Sequence, residues 1–565
     1  MTGQPVKRSF AGASLDYLGA RYVGAGPEAC SYTKQAIEIP MTDGVKLAAD
    51  YYAPELPDNQ KSAGLIMIQC CYGRGSGISF INARIFAARG YQALFVSTRG
   101  TYGSEGTFDP GSNEQSDSQD IVAWMRQQPW YPGSFATLGA SYLGYSQWAL
   151  LHDPPADCVA AVIPVGPHDQ AWHAWGTGSF RLDRASWSDL MSKCDEEKGS
   201  FLSRLANIPG LSFLRSSELE EAVAGLPLEA SLQKYFGDKA PWLFEYLKHP
   251  NVDDDYWTPR RHHIALQRAN IPILLISGWY DTFTTQTMHQ FKHLRGRGVN
   301  VNLVVGPWTH VQGSGLYSMP EILDFLSEHV AKTEDARSNR EVGVPHARQA
   351  RIFITGSQEW RSMPTWPPDT RPKTLYLQEN NGIGPGPPVL DTSPASFVFD
   401  PLNPTPSIGG NQMSSGGRVD DSAYAKRSDV LAFTSEPLSE DLEILGIPSV
   451  RLIHTSDPPF ADLFIRLSEV DTHGVSHNIT EIYQALDPSR DTSKPLNLDL
   501  QDCAHRFRVG TRMRLIVAGG SFPMYARSLG TDEDRLRSDK TTPQKHTITI
   551  AGGVSQLVLP TTSAV

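Results

Sequence analysis

Cysteine is scarce: six occur in 565 residues, and only Cys70 and Cys71 lie close together. That excludes a disulfide scaffold, and without any C-x-x-C pair zinc held by thiolates is not expected. Long apolar runs are missing too. Nothing approaches the roughly 18 apolar residues of a membrane-crossing helix. The opening stretch MTGQPVKRSFAGASLDYLGARY has no apolar core of a secretory signal. Basic runs are absent, and a formal net charge of -11 gives phosphate backbones nothing to bind. There is no internal repeat and no low-complexity tail. These absences point to a cytoplasmic globular protein whose partner is a small molecule, not nucleic acid or membrane. The lone sequon at Asn478 then carries no weight. Oligomeric state is left open, a homodimer included.

What is present is a chain long enough for about three domains. The first third alternates strand and helix patterns. AIEIPMTDGVKLAADYYAP reads as a hairpin around Asp43-Gly44. GLIMIQCCYG is a short continuous apolar run, the mark of a strand buried on both faces. FINARIFAARG follows with helical spacing and a glycine stop. Strand YQALFVSTRG, helix SQDIVAWMRQQ, strand FATLG, helix LGYSQWALLH and strand CVAAVIPVG continue the rhythm. Such alternation builds a parallel sheet covered on both faces. From about 166 to 251 β-runs vanish. Amphipathic stretches such as SFLSRLANIPGLSFL and SLQKYFGDKAPWLFEYL predict a helical insertion. IPILLISG, TQTMHQFKHLRGRG, VNLVVGPW and EILDFLSEHVAK then resume the α/β pattern. Beyond about 345, runs such as ARIFITG, KTLYLQ, ADLFIRLSEVD and RMRLIVAGG alternate, with Pro/Gly-rich turns between them. They predict a sandwich or jelly roll.

The chemistry centres on TLGASYLGYSQW. It approaches G-x-S-x-G, the strand-to-helix turn that exposes a nucleophilic serine. Leu143 stands where the second glycine belongs, and Gly144 comes one residue late. Ser141 nonetheless ends one strand pattern and opens a helix pattern. Asp281 follows ILLISGWY, and His310 follows VNLVVGPWT. Taken singly, Asp281 reads as well as a helix cap, and His310 as one histidine among sixteen. Together the three stand after core strands in the order Ser, Asp, His of the α/β-hydrolases. In those roles His310 takes the Ser141 proton and returns it to the leaving group, while Asp281 fixes the imidazole. An oxyanion site needs donors aimed at the developing charge. The Tyr142 N–H is one candidate. Tyr72, in the loop after LIMIQCC, is another, with packing on the lid as its alternative role.

These motifs resemble those of the cocaine esterase-like (CocE/NonD) hydrolases, relatives of X-Pro dipeptidyl peptidases and cephalosporin acylases. GASYLGYSQW is similar to that family's G-x-S-Y-x-G elbow, which shifts the second glycine as here. TRGTYGSEGTF resembles its R-G-x-x-x-S-x-G-x-F loop, SGWYDTF its acid motif and GPWTH its base motif. FDPLNPTPSIGG, VLAFTSEPL and HRFRVGTRMRLIV resemble its jelly-roll domain. Two positions depart: Cys71 stands where a proline is common, and Ser97 where an aspartate is common. The resemblance implies Ser141, Asp281 and His310 as the catalytic residues and Tyr72 with the Tyr142 N–H as oxyanion donors. Trp172, Trp175 and Phe283 are pocket candidates by position.

The expected protein is an α/β-hydrolase core (1–165 and 252–345), a helical lid (166–251) and a C-terminal jelly roll (346–565). Its expected function is cleavage of an ester or amide through an acyl-enzyme, with no metal and no cofactor. Two alternatives use the same intermediate: acyl transfer to an alcohol or amine, as in natural-product tailoring, and X-Pro dipeptidyl peptidase action. A binding protein with an inert core is the alternative from another class.

Overall fold

The computed structural model describes residues 3–193, 216–331, 349–413 and 415–562. The segment SFLSRLANIPGLSFL, expected in the lid, lies outside them. Eleven strands form the first sheet: β1 (Val6–Lys7), β2 (Ser31–Pro40), β3 (Lys46–Glu55), β4 (Gly64–Cys70), β5 (Tyr91–Ser97), β6 (Phe135–Leu138), β7 (Cys158–Pro164), β8 (Ile273–Tyr280), β9 (Val301–Thr309), β10 (Ala350–Ile354) and β11 (Glu359–Met363). Their spatial order is β1-β2-β3-β5-β4-β6-β7-β8-β9-β10-β11. From β5 to β10 every pairing is parallel, and every residue of β4, β5 and β8 is buried.

Period-two alternation sends neighbouring residues to opposite faces. Ile66 and Ile68 of β4 pack with Phe86 and Phe325 on one face. Leu65 and Met67 pack with Ile121 and Met125 on the other. Both faces are thereby covered by helices. The chain runs from β4 to β5 on one side, then returns to place β6 on the other side of β4. Such a reversal leaves a crevice beyond the carboxyl ends of β4 and β6, where open α/β sheets bind ligands.

The helical insertion lies between the parallel neighbours β7 and β8. It includes helices Gln170–Trp175, Asp183–Ser192, Ser217–Ala224, Leu228–Phe236 and Pro241–Lys248. The last three put apolar stripes inward, with Leu219, Val223, Leu232, Phe236, Leu243 and Leu247 buried. One further helix, Phe10–Tyr22, was not expected.

The first sheet runs past the expected boundary at 345/346. ARIFITG, read as part of the last domain, is β10 and pairs parallel with β9, while β11 forms the edge beyond it. An Ile/Phe/Ile alternation reads alike on the rim of a parallel sheet and in a sandwich, and only the neighbour distinguishes them. The second sheet system begins at Arg371. Its thirteen strands run to Thr561, antiparallel apart from Gly382–Gly384 beside Val430–Ser435. They enclose a core that includes Leu377, Phe399, Phe433, Ile465, Leu515 and Leu557. This β-rich domain is bonded to both other parts. The Thr355 N–H donates to the Ala504 carbonyl at 3.0 Å, and the Ala526 N–H to the Phe180 carbonyl at 2.8 Å. Among the described residues no helix is long and apolar enough to cross a membrane.

A chain ending at 345 would lack β10 and β11 and expose Val305, Leu303 and Trp279, which pack with Ile352, Ile354 and Trp366. It is expected to be insoluble or inactive on expression. A soluble and fully active fragment would contradict this account of the sheet.

Candidate active site

Four strands of the parallel stretch, β4, β6, β8 and β9, deliver the expected residues to one place. Tyr72 lies just beyond β4, Ser141 beyond β6, Asp281 at the end of β8 and His310 at the end of β9. Ser141 adopts φ 60°, ψ −122°, a conformation L residues avoid, and the Tyr142–Leu150 helix starts at the next residue. The turn survives because its surroundings are small. A Cβ on Gly139, at φ 155°, would lie 2.4 Å from the Leu143 Cβ. One on Gly144 would lie 2.7 Å from the Gly166 Cα. The displaced glycine therefore has a definite task. Leu143 faces Gly139, and Gly144 lets the helix approach the chain leaving β7.

His310 joins the other two residues. Its Nδ1 is 2.7 Å from Asp281 Oδ1 and its Nε2 is 2.9 Å from Ser141 Oγ. Asp281 is fully buried, and its other oxygen accepts the Ser277 hydroxyl at 2.9 Å. With Nδ1 bonded to a carboxylate, that nitrogen carries the proton, and Nε2 is left to accept from serine. Thr309 and Gln312 form a reciprocal cap that anchors His310 at the start of a short helix.

The Tyr72 hydroxyl meets this group from the other side. It accepts the Trp187 indole N–H at 3.1 Å, and Ser141 is close enough to act on its ionisation. Burial raises this phenol well above its ordinary value, so it stays neutral and keeps a proton to donate. Tyr142 is the first residue of its helix, where backbone N–H groups have no intrahelical acceptor. The Tyr142 ring stacks on Trp187 at 5.7 Å, and Phe108 and Trp242 complete an aromatic cluster there.

The three pocket candidates separate. Phe283 sits against His310, ring centroids 5.3 Å apart, with His173 behind it at 4.6 Å. Trp175 does not reach the site; its indole N–H donates to the Tyr246 carbonyl and its ring packs on Phe180. Trp172 also turns elsewhere. It lines a cavity of about 240 Å³ shared with Arg181, Gln286, Asn411, Glu481 and Tyr525, and neither Ser141 nor Tyr72 is on its wall. Both tryptophans fail as walls beside the nucleophile because the Gln170–Trp175 helix faces lid packing on one side and the β-rich domain on the other.

Comparison with known proteins adds to this geometry. Residues 43–312 match the X-Pro dipeptidyl-peptidase (S15 family) domain, and residues 343–558 match the X-Pro dipeptidyl-peptidase C-terminal non-catalytic domain. The cocaine esterase of Rhodococcus sp. (strain MB1 Bresler) is 26% identical over 548 residues, covering 88% of this chain and 92% of that protein. The chain is a hydrolase that joins an S15-family domain to that family's C-terminal non-catalytic domain. Two solved structures share the hydrolase's fold, each with a TM-score of 0.77 at 20% identity. One is an aminopeptidase from the marine sediment archaeon Thaumarchaeota archaeon, covering 94% of this chain and 96% of its own. The other is an α-amino acid ester hydrolase, covering 95% and 98%.

Three residues of the hydrolase's site were not foreseen. Ser277, inside β8, holds the second Asp281 oxygen. Trp187 reaches Tyr72 and Tyr142 from the lid. Glu114 accepts the Tyr142 hydroxyl from below. Only Ser277 had a usable sequence signal, since it stands on the strand that carries Asp281.

The close approach at Gly144 has a measurable consequence. Gly144→Ala would also place its methyl 3.1 Å from Ile163 Cγ2. Overpacking of this kind costs about 1–3 kcal/mol. The urea midpoint should fall accordingly and kcat with it, as the helix carries Ser141 off line. An unchanged midpoint and rate would show that the turn does not need this contact.

Proposed function

We propose that this serine hydrolase cleaves neutral carboxylic esters through an acyl-enzyme on Ser141. The observation that carries the reading is His310, whose two ring nitrogens lie within hydrogen-bond distance of Ser141 and Asp281 at once. As Ser141 Oγ attacks the ester carbonyl, its proton passes to His310 Nε2, and the carbonyl π pair moves onto oxygen. Asp281 stabilises the resulting imidazolium without taking its proton. The oxyanion is received by the Tyr142 N–H and the Tyr72 hydroxyl. On collapse the alkoxide leaves with the proton held on Nε2. Water then attacks the acyl-enzyme as His310 Nε2 takes its proton, and on collapse that proton passes to Ser141 Oγ as the acid leaves.

The preference for a neutral ester over a peptide or an amino-acid ester rests on the nearby carboxyls. An N-terminal ammonium needs an available carboxylate. Asp183, beyond Phe283 and His173, is paired with Arg181 at 2.8 Å, and Glu114 is engaged by Tyr142. Among the described residues the groups that remain, Tyr72, Trp187 and Phe283, favour an apolar or aromatic acyl group.

Ser141→Ala tests the nucleophile. A fluorophosphonate probe should label the parent enzyme at Ser141 and leave a folded Ser141→Ala variant unlabelled, with ester turnover abolished. Labelling that persists in the variant would overturn the assignment.

Tyr72→Phe tests the oxyanion donor while keeping the ring. Loss of one such donor costs about a hundred- to thousandfold in kcat. KM should change little, and Ser141 should still be labelled. A kcat within a few fold of the parent would make Tyr72 a packing residue.

A further inference from the structure

Glu114 is 2% exposed, and the chemistry above makes no use of it. It opens the Glu114–Met125 helix. A glutamate in a first helical turn ordinarily faces water and complements the helix dipole. This one lies beneath the active site, although burying a carboxyl is costly. One of its oxygens, Oε1, accepts the Tyr142 hydroxyl. The other, Oε2, is buried with no hydrogen-bond partner among the described residues. Burial pushes the carboxyl up to about 7, the Tyr142 bond opposes that rise, and the charges of Asp117 and Asp109 add to it. Both aspartates are themselves ion-paired, with Arg99 and Arg260.

Tyr142 is the residue after the nucleophile, and its side chain is held on every side. Its oxygen accepts the Gly111 N–H at 3.1 Å while its proton goes to Glu114. Trp187 lies over its ring in a near-parallel stack, 18° between planes, and donates its indole N–H to Tyr72. One carboxyl thus stands at the root of a chain of contacts that reaches both oxyanion donors.

We propose that Glu114 is a positioning residue of the oxyanion site: by holding the Tyr142 hydroxyl it fixes the peptide N–H after the nucleophile and, through the stacked Trp187, the Tyr72 hydroxyl. Glu114 touches no substrate. This inference rests on the reading of Ser141 as nucleophile and deepens it. A displacement of about 1 Å in a catalytic group can cost a hundredfold in rate, so a side chain behind the donors can matter as much as a donor.

The test uses the full chain carrying Glu114→Leu, Glu114→Gln, Tyr142→Phe and the Glu114→Leu/Tyr142→Phe pair. Steady-state kinetics on aryl esters and fluorophosphonate labelling are measured for each. Glu114→Leu and Tyr142→Phe should each lower kcat by about ten- to hundredfold, with KM within about twofold of the parent. The pair should be no slower than the slower single variant, because both changes remove one bond. Glu114→Gln keeps an acceptor for the Tyr142 hydroxyl and should recover kcat to within about fivefold of the parent. Ser141 should be labelled in all four. The proposal is overturned by a folded Glu114→Leu enzyme at parental kcat, by losses that multiply in the pair, or by Glu114→Gln being as slow as Glu114→Leu. If Glu114→Leu fails to fold, parental kcat in Tyr142→Phe overturns it as well. Failure of the underlying reading is distinct, since the parent itself would then go unlabelled at Ser141.

Discussion

Ser141 sits at φ 60°, ψ −122°, and much of the surrounding architecture is arranged to keep it there. A residue held in such a region costs on the order of 1–3 kcal/mol and persists only where its neighbours over-determine it. Here the Ser141 N–H is bonded to the Pro164 carbonyl at 3.0 Å, and its carbonyl accepts from Gly144 and Tyr145. Gly139, Gly144 and Gly166 remove the Cβ atoms that would push strand and helix apart. The parallel sheet below supplies the rigidity. Adjacent strands β6 to β9 carry the serine, the aspartate and the histidine, so their separation is set by strand spacing.

The second constraint is dryness. Asp281 and His310 are 0% and 3% exposed, and the Tyr72, Tyr142, Phe108, Trp187 and Trp242 rings form one apolar wall that joins core to lid. Low polarity strengthens every charge interaction inside; in the proposed mechanism it would favour the imidazolium with Asp281 and the oxyanion with its donors. In that mechanism the lid and the β-rich domain would serve as enclosure. Backbone bonds from Phe180 and Leu182 to Ala526 and Met524 tie the two together.

Much of this was legible in the sequence for a physical reason. GLIMIQC and YQALFVS are mostly apolar because both faces of the sheet are covered, and such short runs between turns read as buried strands. The meeting of Ser141, Asp281 and His310 was legible because each stands directly after or at the end of a buried strand. The Phe10–Tyr22 helix was not, since Phe10, Leu15, Leu18 and Tyr22 are exposed and leave no inward stripe to read. ARIFITG reads as part of the last domain yet joins the first sheet, because strand pairing is decided by neighbours far along the chain. Trp187 and Glu114 escaped notice for the same cause. Each reaches the site from another element, and locally each looks ordinary: an aromatic on a lid helix, an acid at a helix start. Trp172 and Trp175 erred in the opposite direction, near the site along the chain but turned away from it.

The most direct measurement is capture of the intermediate. The enzyme would be mixed with a slowly deacylating aryl ester, quenched in acid within the first turnovers, and examined by intact mass and peptide mapping. The account predicts one acyl group per chain, on the peptide containing Ser141, formed and lost fast enough to support steady-state turnover. An acyl group on another residue, or turnover with no acylated enzyme under conditions where deacylation limits the rate, would contradict it.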